Sequence, residues 1–296
     1  MRAALVQMRS GPDPERNAAH LADAVADAAS RGARYVQTPE MTGMLDADRS
    51  RLMARARAQA DDPFVRRASE VAGRHGVWLH VGSTTVLAET SGRLANRAML
   101  FAPDGTLRAT YDKLHLFDVD IEDATGSERW RESDVYAAGK RAVACDLTFA
   151  DEEPARLGLA ICYDLRFPSL FADLARAGAS VLTAPSAFTA RTGRAHWEVL
   201  TRARAIECGA YLLAAAQGGR HEDGRETWGR SVAVDPWGEV VGMLDHDEPD
   251  VLVVDVDPAR SARARAMIPN LRHARSYALD VVAHAKEISV ELERAS

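Results

Sequence analysis

The chain has 296 residues, of which 47% are hydrophobic and 27% charged, a composition typical of a soluble globular protein. Its formal net charge of −6 excludes a chain-wide basic surface for nucleic acid or anionic lipid, and no apolar run approaches the roughly 20 residues of a membrane helix. Three isolated cysteines without a CxxC pair disfavour a disulfide framework and a zinc cluster, so we expect a reduced, cytoplasmic protein without metal or cofactor.

Strand and helix signals alternate along the first half of the chain. Strands are predicted from short apolar runs and helices from apolar residues at intervals of three or four, with Gly or Pro at most of the ends. The predicted elements are, in chain order, a strand at Ala3–Gln7, a helix at Glu15–Arg31, a strand at Tyr35–Thr38, a helix that Pro63 opens and Gly76 ends, a strand at Val77–Leu87, and a hairpin of Arg97–Ala102 with Thr106–Tyr111.

The second half repeats this alternation. Its predicted elements are strands at Ala142–Leu147 and Arg156–Ile161, a helix at Ser169–Ala177, a strand at Val181–Ala184, a helix at His196–Cys208, strands at Tyr211–Ala216, Ser231–Val234, Glu239–Met243 and Val251–Val256, and one or two polar helices after them. Helices interspersed with direct hairpins indicate an α/β fold of mixed sheets with helices packed outside. No linker or repeat divides the chain, so residues 1–296 are interpreted as one domain.

Three chemically different side chains lie where predicted strands end. Glu40 follows YVQTP, Lys113 follows TLRATYD, and Cys162 follows LGLAI. In open α/β sheets such ends are where sites assemble. Lys113 is also unusual because the chain has only three lysines among its 37 basic residues. Taken singly, Glu40 is more often a surface charge and Cys162 a core residue; together they meet the needs of nucleophilic acyl transfer.

Cleavage of an amide by a thiol needs a base, an acid and an oxyanion site. A carboxylate such as Glu40 can take the proton of the Cys162 thiol and later deliver it to the leaving amine. The Lys113 ammonium and the backbone N–H of Tyr163 can stabilise the oxyanion of the tetrahedral intermediate. Arg166 has a planar fork suited to a substrate carboxylate, or alternatively forms a structural ion pair with Asp164 or Glu207.

Three stretches of the chain resemble the signature blocks of the nitrilase superfamily, the carbon–nitrogen hydrolases. They are PE at Pro39–Glu40, YDKLHLFD at Tyr111–Asp118 and ICYDLRFP at Ile161–Pro168. The resemblance implies a triad of Glu40 as general base, Lys113 as stabiliser of the oxyanion and Cys162 as nucleophile. It also implies a second active-site glutamate within WRESDVYAAG, which is Glu132, and a four-layer α–β–β–α sandwich that dimerises.

Two later stretches are similar to the amidase branch that contains deaminated-glutathione amidase and ω-amidase. They are Ala187–Glu207 and Ala214–Gly238. This similarity implies that Arg166, Phe188 and Thr192 hold the 2-oxo-dicarboxylate end of a small acidic amide. The expected reaction converts deaminated glutathione into 2-oxoglutarate and cysteinylglycine through a thioester. Hydrolysis of 2-oxoglutaramate or of an N-carbamoyl amino acid, and a non-catalytic binding role, are the alternatives.

Other residues near these blocks allow different interpretations. His115 could form a Cys–His pair with Cys162, although a supporting or packing role is favoured, and His196 and His221 could lie at the rim of the site. The segment Asp118–Arg131 is expected to be a loop that covers the site. The C-terminal segment, residues 257–296, is expected to contribute to contacts within a homodimer or larger homo-oligomer.

Overall fold

The computed structural model describes residues 1–88, 92–123, 126–150, 152–282 and 287–289. Its strands are β1 (Arg2–Gln7), β2 (Tyr35–Gln37), β3 (Trp78–Leu87), β4 (Leu94–Phe101), β5 (Leu107–Asp112), β6 (Asp118–Asp123), β7 (Gly126–Arg131), β8 (Val143–Leu147), β9 (Ala155–Leu159), β10 (Val181–Thr183), β11 (Tyr211–Ala214), β12 (Gly218–Arg220), β13 (Glu226–Trp228), β14 (Val232–Val234), β15 (Val240–Met243), β16 (Asp250–Asp255), β17 (Asp280–Val282) and β18 (Glu287–Ser289). Its α-helices are α1 (Pro14–Ser30), α2 (Arg49–Arg55), α3 (Pro63–His75), α4 (Pro168–Arg176), α5 (Ala190–Cys208), α6 (Pro258–Met267) and α7 (Asn270–His273).

Two six-stranded mixed sheets form the centre of the molecule. The first has the order β16-β1-β2-β3-β4-β5, and the second has the order β15-β14-β11-β10-β9-β8. Strands β1, β2 and β3 are parallel to one another, as are β9, β10 and β11, and the outer strands of both sheets pair antiparallel. The expected mixed α/β fold is therefore confirmed.

Side chains of β1 show how the layers pack. Because successive residues of a strand face opposite sides, Ala3 and Leu5 enter the core between the two sheets, whereas Ala4 and Val6 pack with the apolar faces of α1 and α3. The same continuous cluster extends to apolar residues of α4 and α5, such as Trp197, where these helices pack against the second sheet. Two sheets with helices outside give the four layers α–β–β–α.

Helix α5 begins six residues earlier than its apolar pattern predicts. Its first turn is polar and contains Gly193, so it carries little periodic signal, but the Thr189 side chain accepts a hydrogen bond from Thr192 N and caps the helix. Gly193 is required by a close approach, since a Cβ there would lie 2.3 Å from the Trp228 side chain.

The segment expected to be a loop over the site has regular structure where it is described. Its two ends form the antiparallel hairpin β6–β7, in which Asp118 pairs with Arg131. A second short hairpin, β12–β13, and helix α2 also lack a clear periodic signal. Within the described ranges, no helix is both long and apolar enough to cross a membrane.

Candidate active site

One cavity of about 350 Å³ brings together all the residues that the sequence singled out for catalysis and substrate binding. The predicted residues that line it are Glu40, Lys113, Glu132, Cys162, Tyr163, Arg166, Phe188 and Thr192. Glu40, Lys113 and Cys162 follow strands of the two large sheets, Glu132 follows the hairpin β6–β7, and Thr192 lies in α5. Residues separated by up to 152 positions therefore share one wall, as expected for side chains at strand ends.

Cys162 lies on a strained turn directly after β9. Its φ of 48° is in the left-handed region, which non-glycine residues rarely occupy. The turn is held by hydrogen bonds from Cys162 N to Pro185 O, at 3.0 Å, and from Ile161 N to Asp164 Oδ2, at 2.8 Å. Cys162 is 8% exposed and lines the cavity. Strain of this kind is stored where a side chain must be presented in a particular direction.

Asp164 accounts for the position of His115. Asp164 is buried, and its Oδ1 atom lies 2.7 Å from His115 Nδ1 and accepts a hydrogen bond from His115 N. The imidazole also stacks on Phe167, with ring centroids 3.5 Å apart. His115 thus supports the turn that carries Cys162, and this geometry disfavours the Cys–His pair.

Lys113 joins two carboxylates in the cavity wall. Its ammonium Nζ lies 2.8 Å from Glu40 Oε1 and 2.8 Å from Glu132 Oε2, and the side chain is only 2% exposed. Burial opposes the charge on Lys113, but the negative charges of Glu132 and Glu40 outweigh it and raise the pKa of Lys113 well above its ordinary value. Lys113 is therefore an ammonium ion at neutral pH.

Backbone and amide donors fix both carboxylates. Glu40 Oε2 accepts a hydrogen bond from Ala187 N at 3.0 Å, and Glu132 Oε2 accepts one from Phe117 N at 2.7 Å. Asn96 donates from Nδ2 to Glu40 Oε1 at 2.9 Å and to Glu132 Oε1 at 3.0 Å. Asn96 was not predicted from the sequence. The feature that could have marked it is a polar amide directly after two apolar residues at the start of β4.

Glu40 and Lys113 act in opposite directions on the thiol. Burial and the negative charge of Glu40 raise the pKa of Cys162 well above its ordinary value, and the charge of Lys113 lowers it by less. The resting sulfur is therefore protonated. Because a thiol is a weak nucleophile, it needs a base that takes the proton as the attack begins, and the carboxylate of Glu40 stands beside it.

Arg166 is a half-buried cation without a carboxylate partner among the described residues. Both terminal nitrogens lie 3.2 Å from His196 Nδ1, and the guanidinium packs against the rings of Tyr163 and Phe188, 5.9 and 5.4 Å from their centroids. Glu207, an alternative partner, pairs instead with Arg204 at 2.7 Å. The alternative of a structural ion pair is thus disfavoured by the geometry.

Phe188 and Thr192 border Arg166 in the cavity. The Phe188 ring packs edge-on against Trp197 with centroids 5.1 Å apart, which fixes it as an apolar wall. Thr192 Oγ1 lies 3.0 Å from Thr189 Oγ1, so its hydroxyl belongs to the cap of α5 as well as to the cavity.

His196, His221, Cys145 and Cys208 do not line the cavity. His221 is buried between Ser10 O, 2.8 Å from Nδ1, and Thr227 Oγ1, 2.7 Å from Nε2. His196 contacts the cavity only through Arg166. Cys208 is buried at the end of α5, and Cys145 is half-buried.

Comparison with known proteins finds a matching family profile, similar sequences and similar structures. The carbon–nitrogen hydrolase family profile matches residues 2–266. Deaminated glutathione amidase of Yersinia enterocolitica is 41% identical over 92% of each chain. Among solved structures, the NitFhit protein of Caenorhabditis elegans has a TM-score of 0.81 at 31% identity, over 97% of this chain and 71% of that one. A mutant amidase of Nesterenkonia sp. AN1, with acrylamide added to its active-site cysteine, has a TM-score of 0.73 at 27% identity, over 91% and 98%.

Proposed function

Because this chain belongs to the carbon–nitrogen hydrolase family, as its three sequence blocks predicted, we propose that it hydrolyses deaminated glutathione to 2-oxoglutarate and cysteinylglycine. The chain is an amidase of that family, and the choice of substrate and the residue roles are our proposal. The observation that carries it is a cavity in which a thiol, an ammonium ion and two carboxylates meet beside a guanidinium that no carboxylate neutralises among the described residues.

In the first half of the proposed reaction, Cys162 attacks the amide carbonyl carbon. Glu40 takes the thiol proton as the carbon–sulfur bond forms, because the raised pKa of Cys162 keeps the sulfur protonated until the attack. The carbonyl oxygen becomes an oxyanion that the Lys113 ammonium and the Tyr163 N–H stabilise. The carbon–nitrogen bond then breaks, the proton passes from Glu40 to the nitrogen, and the amine leaves a thioester on Cys162.

In the second half, water replaces the amine. Glu40, again a carboxylate, takes a proton from the water as its oxygen attacks the thioester carbon, and the carbon–sulfur bond breaks with return of that proton to sulfur. Glu132 keeps the ammonium of Lys113 in place through its 2.8 Å ion pair. Asn96 fixes the positions of the Glu40 and Glu132 carboxylates by donating a hydrogen bond to each. Both halves of the reaction thus use the same base.

Arg166 is proposed to select acidic substrates. A guanidinium fork binds a carboxylate through two parallel hydrogen bonds, and the neutral partners of Arg166 leave that charge uncompensated. Phe188 supplies an apolar surface for the methylene groups of a 2-oxo-dicarboxylate, and the Thr192 hydroxyl supplies a polar contact.

Measurement of kcat/KM for deaminated glutathione, 2-oxoglutaramate and an N-carbamoyl amino acid tests the substrate assignment. Deaminated glutathione is expected to be hydrolysed most efficiently. Preference for either of the other amides would contradict the proposal.

Arg166→Gln is expected to raise KM for deaminated glutathione and for 2-oxoglutaramate by about 10- to 100-fold, because it removes a bidentate charge-assisted contact to the acyl end. Turnover at saturation should change little. The exposed Arg176→Gln on α4 is the matched control and should behave as the wild type. An unchanged KM in Arg166→Gln would exclude the assigned role.

We also propose that the chain works as a homodimer in the reducing cytoplasm, where its three free cysteines persist. Large apolar side chains are exposed on the outer face of α5 and at the end of α6: Val199 is 69% and Met267 is 65% exposed. Such surface favours a protein partner. These residues would bring α5 and the C-terminal segment, residues 257–296, into one interface.

Sedimentation velocity tests the dimer. The wild type is expected to sediment at twice the 32.1 kDa mass of one chain, and Val199→Glu with Met267→Glu as a monomer. Met53→Glu, which alters an exposed apolar residue of α2, should remain a dimer. A monomeric wild type would contradict the proposal.

A further inference from the structure

A second arginine, Arg225, lines the active-site cavity from the turn between β12 and β13. Its Nε atom donates to Asp223 Oδ2 at 2.7 Å, and its guanidinium carbon lies 5.6 Å from the centroid of the Trp130 ring. The Asp223 side chain is only 2% exposed, so it is a firm anchor. The guanidinium of Arg225 is thus fixed by its Nε hydrogen bond to Asp223 and by packing on Trp130. Its two terminal nitrogens face no hydrogen-bond partner among the described residues.

Arg225 and Arg166 stand at opposite ends of a row of aromatic rings. The ring centroids of Trp130 and Phe117 are 6.1 Å apart, and those of Phe117 and Tyr163 are 5.0 Å apart. Arg225 packs on Trp130 at one end of this row, and Arg166 packs on Tyr163 at the other. All three rings line the cavity. The cavity therefore offers an apolar wall with a cation at each end.

Several charged side chains in the same wall have their own partners, and the adjacent Glu226, which also lines the cavity, forms no ion pair with Arg225 among the described residues. Asp46, also in the wall, accepts two hydrogen bonds of 2.7 Å from Arg51. Arg129 and Arg131 both approach Asp120, at 3.6 and 2.5 Å. These pairs leave the fork of Arg225 available for an anion that enters the cavity.

We propose that Arg225 binds the terminal carboxylate of a peptide-like leaving amine, and so selects amides that release a dipeptide over amides that release ammonia. This inference rests on the proposed function, in which the acyl end of the substrate lies at Arg166. A chain of three residues spans about 10 Å when extended, which suits carboxylates at the two ends of a three-ring row. Deaminated glutathione has a carboxylate at each end, whereas 2-oxoglutaramate has none on its leaving side.

The test compares two substrates in two proteins. Arg225→Gln is expected to lower kcat/KM for deaminated glutathione by about 10- to 100-fold, and to leave kcat/KM for 2-oxoglutaramate within about threefold of the wild type. Conversion of the terminal glycine carboxylate of deaminated glutathione to a carboxamide should lower kcat/KM of the wild type by a similar factor. The same conversion should not lower kcat/KM of Arg225→Gln any further. This cycle isolates the contact between Arg225 and the carboxylate.

Two further measurements separate failure of folding and failure of the proposed function from failure of this inference. Arg225→Gln leaves the buried Asp223 without its cation. The double variant Asp223→Asn with Arg225→Gln removes both charges. This double variant should have a Tm close to that of the wild type and show the same loss of selectivity as Arg225→Gln. Equal losses on both substrates, or an unchanged kcat/KM for deaminated glutathione in Arg225→Gln, would overturn the role of Arg225. A wild type that hydrolyses 2-oxoglutaramate but not deaminated glutathione would instead overturn the proposed function.

Discussion

Cys162→Ala is expected to lower kcat for deaminated glutathione by on the order of 10⁴-fold or more, because without the sulfur no thioester forms and water must attack the amide directly. The fold should be retained, since the change removes one atom from a residue whose turn is held by backbone contacts and Asp164. Product formation followed by chromatography measures the loss. Intact-protein mass spectrometry should detect an acyl adduct on the wild type and none on the variant.

The other cysteines provide the control for this experiment. Cys145→Ala changes a half-buried thiol outside the cavity and should keep the activity of the wild type. If Cys162→Ala kept more than about 1% of wild-type turnover, the thiol would not be the nucleophile. Removal of a covalent nucleophile lowers kcat by far more than about a hundredfold.

Lys113→Met is expected to have two large effects, on activity and on stability. Loss of the ammonium removes an oxyanion stabiliser, which costs about 10²- to 10³-fold in kcat. It also leaves Glu40 and Glu132 close together without the cation that both contact at 2.8 Å. Breaking a buried pair by removal of one partner costs about 3–5 kcal/mol in the free energy of unfolding. Urea denaturation measures this loss.

Two variants separate the effects of Lys113 on activity and on stability. Lys113→Met combined with Glu132→Gln removes one positive and one negative charge, and should recover much of the stability but none of the activity. Lys140→Met replaces an exposed lysine and should match the wild type in both assays. Activity of Lys113→Met within tenfold of the wild type would contradict the role of the ammonium.

Most element types could be predicted because they depend on local patterns. Gly76 and Gly209 end α3 and α5 in the left-handed conformation, with φ of 62° and 52°, and both were visible as helix stops. The hairpins β6–β7 and β12–β13 were not predicted. Their strands are short and mostly polar, so their pairing depends on neighbours that a linear pattern does not contain.

The candidate site was predictable where a residue follows a strand within a recognisable block. Glu40, Lys113 and Cys162 were singled out in this way and Glu132 by the family resemblance alone, and the structure brings all four into one cavity. Asn96 was not, because its contacts are with residues 56 and 36 positions away and nothing near it in the chain marks them. Arg225 was missed for the same reason, since its turn gives no sign of Trp130 beside it.

By itself the sequence determined the alternation of strands and helices, the family to which the chain belongs, and the residue types available for chemistry. Only the tertiary structure decided which charges are paired and which are free. Arg166 is four residues from Cys162 and two from Asp164, yet both oxygens of Asp164 are taken by other donors and Arg166 faces the cavity. The physical reason is that an ion pair depends on distances of a few ångströms between side chains, and these are set by how distant strands pack.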